Sequence, residues 1–164
     1  MPIQRVPGPG EPEAEPGIAP AWLLNHFDPA IPSADRPALL ERATLDLRVN
    51  RLEGAREQAL AELPEAMPSR WSPIGLRLPE GYRVEQAPAW RRGLVEIQDE
   101  GSQLICLACE ARPDMLVVDL CAGAGGKSLA LAAAAPGAHI LATDSNRARL
   151  SKLGPRAERA GAAI

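Results

Sequence analysis

Apolar and polar positions alternate clearly in one place near the N-terminal third. Leu45-Asp-Leu-Arg-Val-Asn50 places Leu45, Leu47 and Val49 on one side and Asp46, Arg48 and Asn50 on the other. A period of two predicts a strand with one face in a core and one in water. Leu116 to Leu120 is a continuous apolar run with Val117 and Val118 at its centre. It predicts a strand buried on both faces. His139 to Thr143 predicts a second buried strand, ending at Asp144. Between these two, Ser128 to Ala135 is a run of strong helix formers stopped by Pro136-Gly137.

The other elements follow the same rules. Ala21 to Phe27 is a short amphipathic helix with Trp22, Leu23 and Phe27 as its apolar side. Ser33 or Asp35 caps a second helix reaching Leu45, with Pro37 tolerated in its first turn. Gly54 to Leu63 is a helix closed by Pro64, and Trp71 sits in a loop from Pro68 to Pro73. Ile74 to Leu78, Tyr82 to Val84 and Leu94 to Ile97 are short strands. Asp99-Glu-Gly-Ser102 opens a helix that runs to Arg112, with acids where the helix dipole favours them. Ser145 to Arg159 is a last helix that Gly154-Pro155 kinks or breaks. A third strand is expected to begin at Gly161-Ala-Ala-Ile164.

Three segments result. Residues 1–19, with five prolines and little to bury, read as a disordered tail. Residues 20–97 form a helical stretch and a small mixed α/β unit. Residues 98–164 open a doubly wound sheet. Two strands and two helices are only half of such a domain, so the chain reads as a fragment.

Composition adds modest constraints. Residues 1–43 hold six acids and three bases, which accounts for the whole net charge of −3. Sixteen of the eighteen basic residues are arginine, which forks onto phosphate and suits RNA. No apolar run approaches the ~20 residues of a membrane span, and the N-terminus has no secretory h-region. Three cysteines without a disulfide framework suit a reducing cytoplasm.

The candidate chemistry lies between the two apolar strands, in Cys121-Ala-Gly-Ala-Gly-Gly-Lys127. Strand, glycine turn and helix are the layout of a nucleotide-type cofactor loop: glycine lets a ligand approach the backbone, and the helix start offers unpaired N–H groups. The dinucleotide pattern G-x-G-x-x-G fits Gly123 and Gly125 but meets Ser128 at its third glycine. The P-loop pattern fits Gly126-Lys127-Ser128 but meets Cys121 where its first glycine belongs. S-adenosylmethionine (SAM) requires an acid at each strand end, and Asp119 and Asp144 stand there. A plain tight turn, and a helix-capping role for Asp144, are the bland alternatives. Cys106 and Cys109 form a C-x-x-C inside an apolar helix, where core packing outweighs a metal site lacking enough partners.

These residues, with Gln98-Asp-Glu-Gly-Ser-Gln103, Ala142-Thr-Asp144, Arg149-Leu150 and Arg156-Ala-Glu-Arg-Ala-Gly161, resemble the RsmB/NOP2/Sun family of RNA cytosine-5 methyltransferases. Leu45 to Asn50 resembles the start of that family's RNA-binding unit. The resemblance implies the opening half of a Rossmann-like class I SAM-dependent methyltransferase sheet, preceded by a small α/β RNA-binding-type unit. It implies that Cys121, Ala122, Gly123, Ala124, Gly125, Gly126 and Lys127 wrap the methionine end of SAM, with Lys127 on its carboxylate, and that Asp144 holds the ribose. Catalysis in the family is nucleophilic and needs an activated cysteine on later loops, so no catalytic residue is expected here. Arg48, Arg51, Arg147, Arg149, Arg156 and Arg159 are the candidate RNA contacts. The expectation is a monomer without metal or membrane, binding SAM weakly but not turning over, with RNA, most plainly ribosomal, as partner. A P-loop-like nucleotide-binding protein and a non-catalytic SAM- or RNA-binding module are the alternatives.

Overall fold

The computed structural model describes residues 18–164. The expected tail lies almost wholly outside the described residues. The chain divides into two units, residues 1–43 and Thr44–Ile164.

The described part of the first unit holds α1 (Ala21–Leu24) and a single 3₁₀ turn at Pro37–Leu39. α1 is shorter than expected, with Trp22 exposed. The helix expected from Ser33 to Leu45 does not form, because Leu45 is taken into strand pairing.

The second unit begins with an antiparallel sheet in the order β2-β3-β1-β4, made of β1 (Leu45–Val49), β2 (Met67–Pro68), β3 (Gly75–Leu78) and β4 (Val95–Ile97). α2 (Arg56–Glu62) and α3 (Pro88–Arg91) connect these strands. In register, Leu47 lies opposite Leu76 on one side and Ile97 on the other. Leu47, Val49, Leu63, Leu76, Leu94 and Val95 are fully buried and form the sheet's core. Residues 82–84 are not a strand; Val84–Gln86 is a 3₁₀ turn. β1 and β2 already flank β3, leaving no edge of it to pair.

The period of two in β1 is correct, but its polar face is not in water. Asp46 and Arg48 are buried beneath α4 (Glu100–Ala108). A polar network replaces the solvent: Arg77 Nε donates to Asp46 (2.7 Å), Arg48 Nε donates to Gln98 Oε1 (2.7 Å), and Gln103 Nε2 donates to the Leu47 and Gln98 carbonyls (3.1 and 2.9 Å). Burying polar groups is costly unless they are hydrogen-bonded; in this network Arg48 Nη1 is left without a partner. α4 lies on this sheet and also packs on α5 (Gly126–Ala134). Asn50 strengthens the joint, its Nδ2 donating to the carbonyls of Gly93 (2.9 Å) and Ala160 (2.8 Å).

α4 starts at Asp99-Glu-Gly-Ser102 as expected, and Asp99 is its cap, accepting from the Ser102 amide at 3.0 Å. The helix ends at Ala108, short of Arg112. β5 (Leu116–Asp119) and β6 (His139–Ala142) are parallel, with Val117 opposite Ile140 and Asp119 opposite Ala142. α5 is the crossover between them, its alanines packed on Ile140, Val117 and Cys106. The other face is open: Leu116 is 71% exposed and Leu120 72%, with Val118 and Leu141 also exposed. The expectation of strands buried on both faces is therefore corrected; α5 covers one face only. α6 (Arg147–Leu150) and α7 (Leu153–Arg159) follow. The break comes before Gly154-Pro155, which sits in the first turn of α7, where proline costs no helical hydrogen bond. No strand forms over residues 161–164.

Candidate functional site

The parallel pairing of β5 and β6 brings their C-terminal ends together, and Asp119 and Asp144 with them. In an open α/β sheet this is the edge where ligands bind. The loop after β5 turns sharply. Gly123 (φ +56°) and Gly125 (φ +84°) both occupy the left-handed region, which disfavours a side chain. Gly125 is also the N-cap of α5. A Cβ there would strike Leu153, and one on Gly123 would come within 2.6 Å of Arg149 Nη2. A Cβ on Gly126 would meet nothing within 4 Å. The glycines thus have different jobs: two permit the turn and its packing, and the third borders open space.

The loop amides are aimed by carboxylates. Asp119 Oδ1 accepts from the Cys121 amide (3.3 Å) and Oδ2 from Ser128 Oγ (2.8 Å). Asp144 Oδ2 accepts from the Gly123 amide and Oδ1 from the Asn146 amide, both at 2.7 Å. The amides of Asn146 and Gly123 hold the Asp144 carboxyl below its usual value, so it is ionised. Asp144 is not the cap of the following helix; Asn146 is, accepting from the Arg149 amide at 3.1 Å. The Ala122 amide donates to the Thr143 carbonyl (2.9 Å), tying the loop to the end of β6. The amides of Gly126 and Lys127 lie in the first turn of α5, ahead of its helical ladder. The Lys127 residue is exposed.

The six arginines singled out in the sequence part company. Arg48 is 1% exposed; burial lowers its pKa to about 10, against the opposing charge of Glu96. It is not on the surface. Arg156 and Arg159 both pair with Glu96, and Arg159 also lies 3.8 Å from the centre of the Trp90 ring. Arg51, Arg147 and Arg149 are exposed, with the Arg149 guanidinium over Gly123. Sequence reading missed that Arg156 Nη1 donates to the Ala124 carbonyl of the loop at 2.7 Å. No local signal announces it, since its other partner, Glu96, is far away along the chain.

The cysteines are equally distinct. Cys106 is buried, and desolvation raises its thiol pKa. Cys109 is exposed, its Sγ 3.3 Å from the Ile105 carbonyl. Cys121 is exposed, and only its backbone amide is bonded to Asp119. Among the described residues, no group of His, Cys, Asp and Glu side chains is placed to hold a metal ion, and no helix is long and apolar enough to cross a membrane.

No protein-family model matches the chain. Among curated proteins it is similar to the ribosomal RNA small subunit methyltransferase B of Pectobacterium atrosepticum, 33% identical over 143 residues, covering 83% of this chain and 33% of that protein. The Escherichia coli protein of the same name is 32% identical over 151 residues, covering 88% and 35%. The chain thus spans about a third of the length of the curated relatives it matches. Among solved structures, PH0851 matches with a TM-score of 0.81 at 25% identity, over 94% of this chain and 39% of that one. A methyltransferase homologue from Pyrococcus horikoshii matches with a TM-score of 0.70 at 25% identity, over 78% and 44%. NSun6 from the same organism, solved with SFG, shares the fold at a TM-score of 0.68 and 16% identity, over 75% and 57%. Over most of its own length, this chain is homologous to the RsmB/NSun family of RNA methyltransferases.

Proposed function

We propose that this chain carries the methyl-donor half of a cytoplasmic, SAM-dependent ribosomal RNA cytosine-C5 methyltransferase. The observation that carries the reading is the Asp144 carboxylate at the end of β6, bonded to the Gly123 amide of the loop after β5. Each carboxylate oxygen has a second lone pair, so Asp144 keeps the capacity to accept from ribose hydroxyls. Gly126 borders open space at the start of α5, where first-turn amides suit the ligand's carboxylate. Lys127 is exposed beside them. Cys121 through Lys127, with Asp144, are the residues that would hold SAM. When bound, SAM supplies an electrophilic methyl group.

The electrostatics favour this ligand over a nucleoside triphosphate. Asp119 and Asp144 already take two loop amides and place two negative charges beside it. Their charge favours a sulfonium cation over a triphosphate, set against the Arg149 guanidinium over Gly123 and the exposed Lys127. The buried Cys106 supports a binding role without turnover. A nucleophilic thiolate needs a nearby cation or helix start to lower its pKa; Cys106 is instead buried with its pKa raised.

RNA contact falls to the exposed Arg51, Arg147 and Arg149. Phosphate binding through them would weaken steeply with salt. Calorimetric titration of the 164-residue chain tests the cofactor reading. Saturable binding of SAM and of its demethylated product, without methyl transfer to RNA, is expected. Magnesium-dependent ATP binding lost in Lys127→Ala, with no SAM binding, would overturn it in favour of a P-loop-like function.

A further inference from the structure

The peptide plane between Ala124 and Gly125 is held at both ends. Its N–H, on Gly125, donates to the Ala122 carbonyl at 2.8 Å. Its carbonyl, on Ala124, accepts from Arg156 Nη1 at 2.7 Å. Arg156 is itself held, because its Nη2 donates to Glu96 Oε2 at 2.8 Å. Glu96 is only 1% exposed, and Arg159 occupies its other oxygen. One guanidinium fork therefore bridges a buried carboxylate of β4 and the middle of the glycine loop.

That location matters because the plane lies between two left-handed glycines. Glycine has the widest conformational freedom of any residue, so a loop built on it is cheap to reorient. Gly126 and Lys127, whose amides face the proposed ligand, come directly after this plane. We propose that Arg156 is a positioning residue for the cofactor loop: it locks the Ala124–Gly125 plane and thereby the direction of the first amides of α5, with Glu96 as its anchor. The inference rests on the reading that this loop holds SAM. It goes further by making the loop's shape depend on the antiparallel sheet, through a residue that touches no ligand.

Arg159 supplies the control. It pairs with the same buried Glu96 but has no bond to the loop, stacking instead on Trp90. The experiment compares Arg156→Gln, Arg156→Lys and Arg159→Gln in the 164-residue chain. Three readouts are taken: thermal midpoint, amide hydrogen exchange of residues 122–127, and calorimetric SAM affinity. Both glutamine variants lower the midpoint, since each removes a charge-assisted bond to Glu96. Only Arg156→Gln speeds exchange at Gly125 and weakens SAM, each by about tenfold, as the loss of one charge-assisted bond implies. Arg156→Lys keeps a cation near Glu96 but not the fork, and recovers only part of both. Wild-type exchange of the loop amides in Arg156→Gln overturns the inference, as does an equal loop effect in Arg159→Gln. If the wild-type chain binds no SAM, the functional reading fails, and the exchange comparison alone still decides the role of Arg156.

Discussion

Gly125 and Gly126 are adjacent in the sequence, yet the structure predicts opposite outcomes for the same substitution. Gly125→Ala forces a side chain into a backbone at φ +84°, ψ +15°. For a non-glycine residue the left-handed region costs about 1–2 kcal/mol. The new Cβ also strikes Leu153, which is buried against Leu129 and Ala160. Displacing a packed core side chain costs about 1–3 kcal/mol. The reduced freedom of the unfolded chain returns about 0.4–1 kcal/mol. The net expectation is a loss of about 1–4.5 kcal/mol, centred on about 3 kcal/mol. Gly126 has no positive φ and no neighbour within 4 Å of a Cβ. Gly126→Ala is therefore neutral in stability, or gains up to about 1 kcal/mol from helix propensity. Its methyl group points into the space where the proposed ligand would lie, so SAM binding weakens even though the fold is intact. Urea denaturation read by circular dichroism measures the first effect as a shift in midpoint at constant slope; calorimetry measures the second. The reasoning is refuted if Gly125→Ala is as stable as the wild type, or if Gly126→Ala destabilises the chain equally.

Two further perturbations follow. The Asp144 carboxyl is held below its ordinary value by the amides of Asn146 and Gly123, so it contributes stability above the unfolded value near pH 3.9 and loses it as pH falls through the folded value. Urea midpoints between about pH 5 and pH 2 should decline less in Asp144→Asn than in the wild type, and the same variant should weaken SAM at neutral pH; equal acid slopes would contradict the assignment. Arg48→Met removes a buried cation whose charge is disfavoured there, while Glu96 keeps Arg156 and Arg159. The substitution also leaves the buried Gln98 Oε1 without its donor, so stability should fall by about 1–3 kcal/mol, with RNA affinity unchanged in a filter-binding assay; a selective loss of RNA affinity would restore Arg48 as a contact.

The amino-acid sequence by itself determined the strand, glycine loop, helix and strand from Leu116 to Ala142, the helix start after Asp99 and the two acids at the strand ends. These are local properties. Periodicity, helix formers and glycine spacing act over a few residues, so a short window contains their causes. Tertiary structure alone decided what covers each face and which charge meets which. A period of two shows that Arg48 and Leu47 point opposite ways, but not that α4 buries the polar side. An apolar run predicts that Leu116 and Leu120 are buried, but not that α5 reaches only one face and leaves both exposed. Arg156 and Arg159 look like a basic helix face until folding brings Glu96 to them. The enthalpy of such pairs comes from contacts between residues far apart in the chain, and no local window contains both partners.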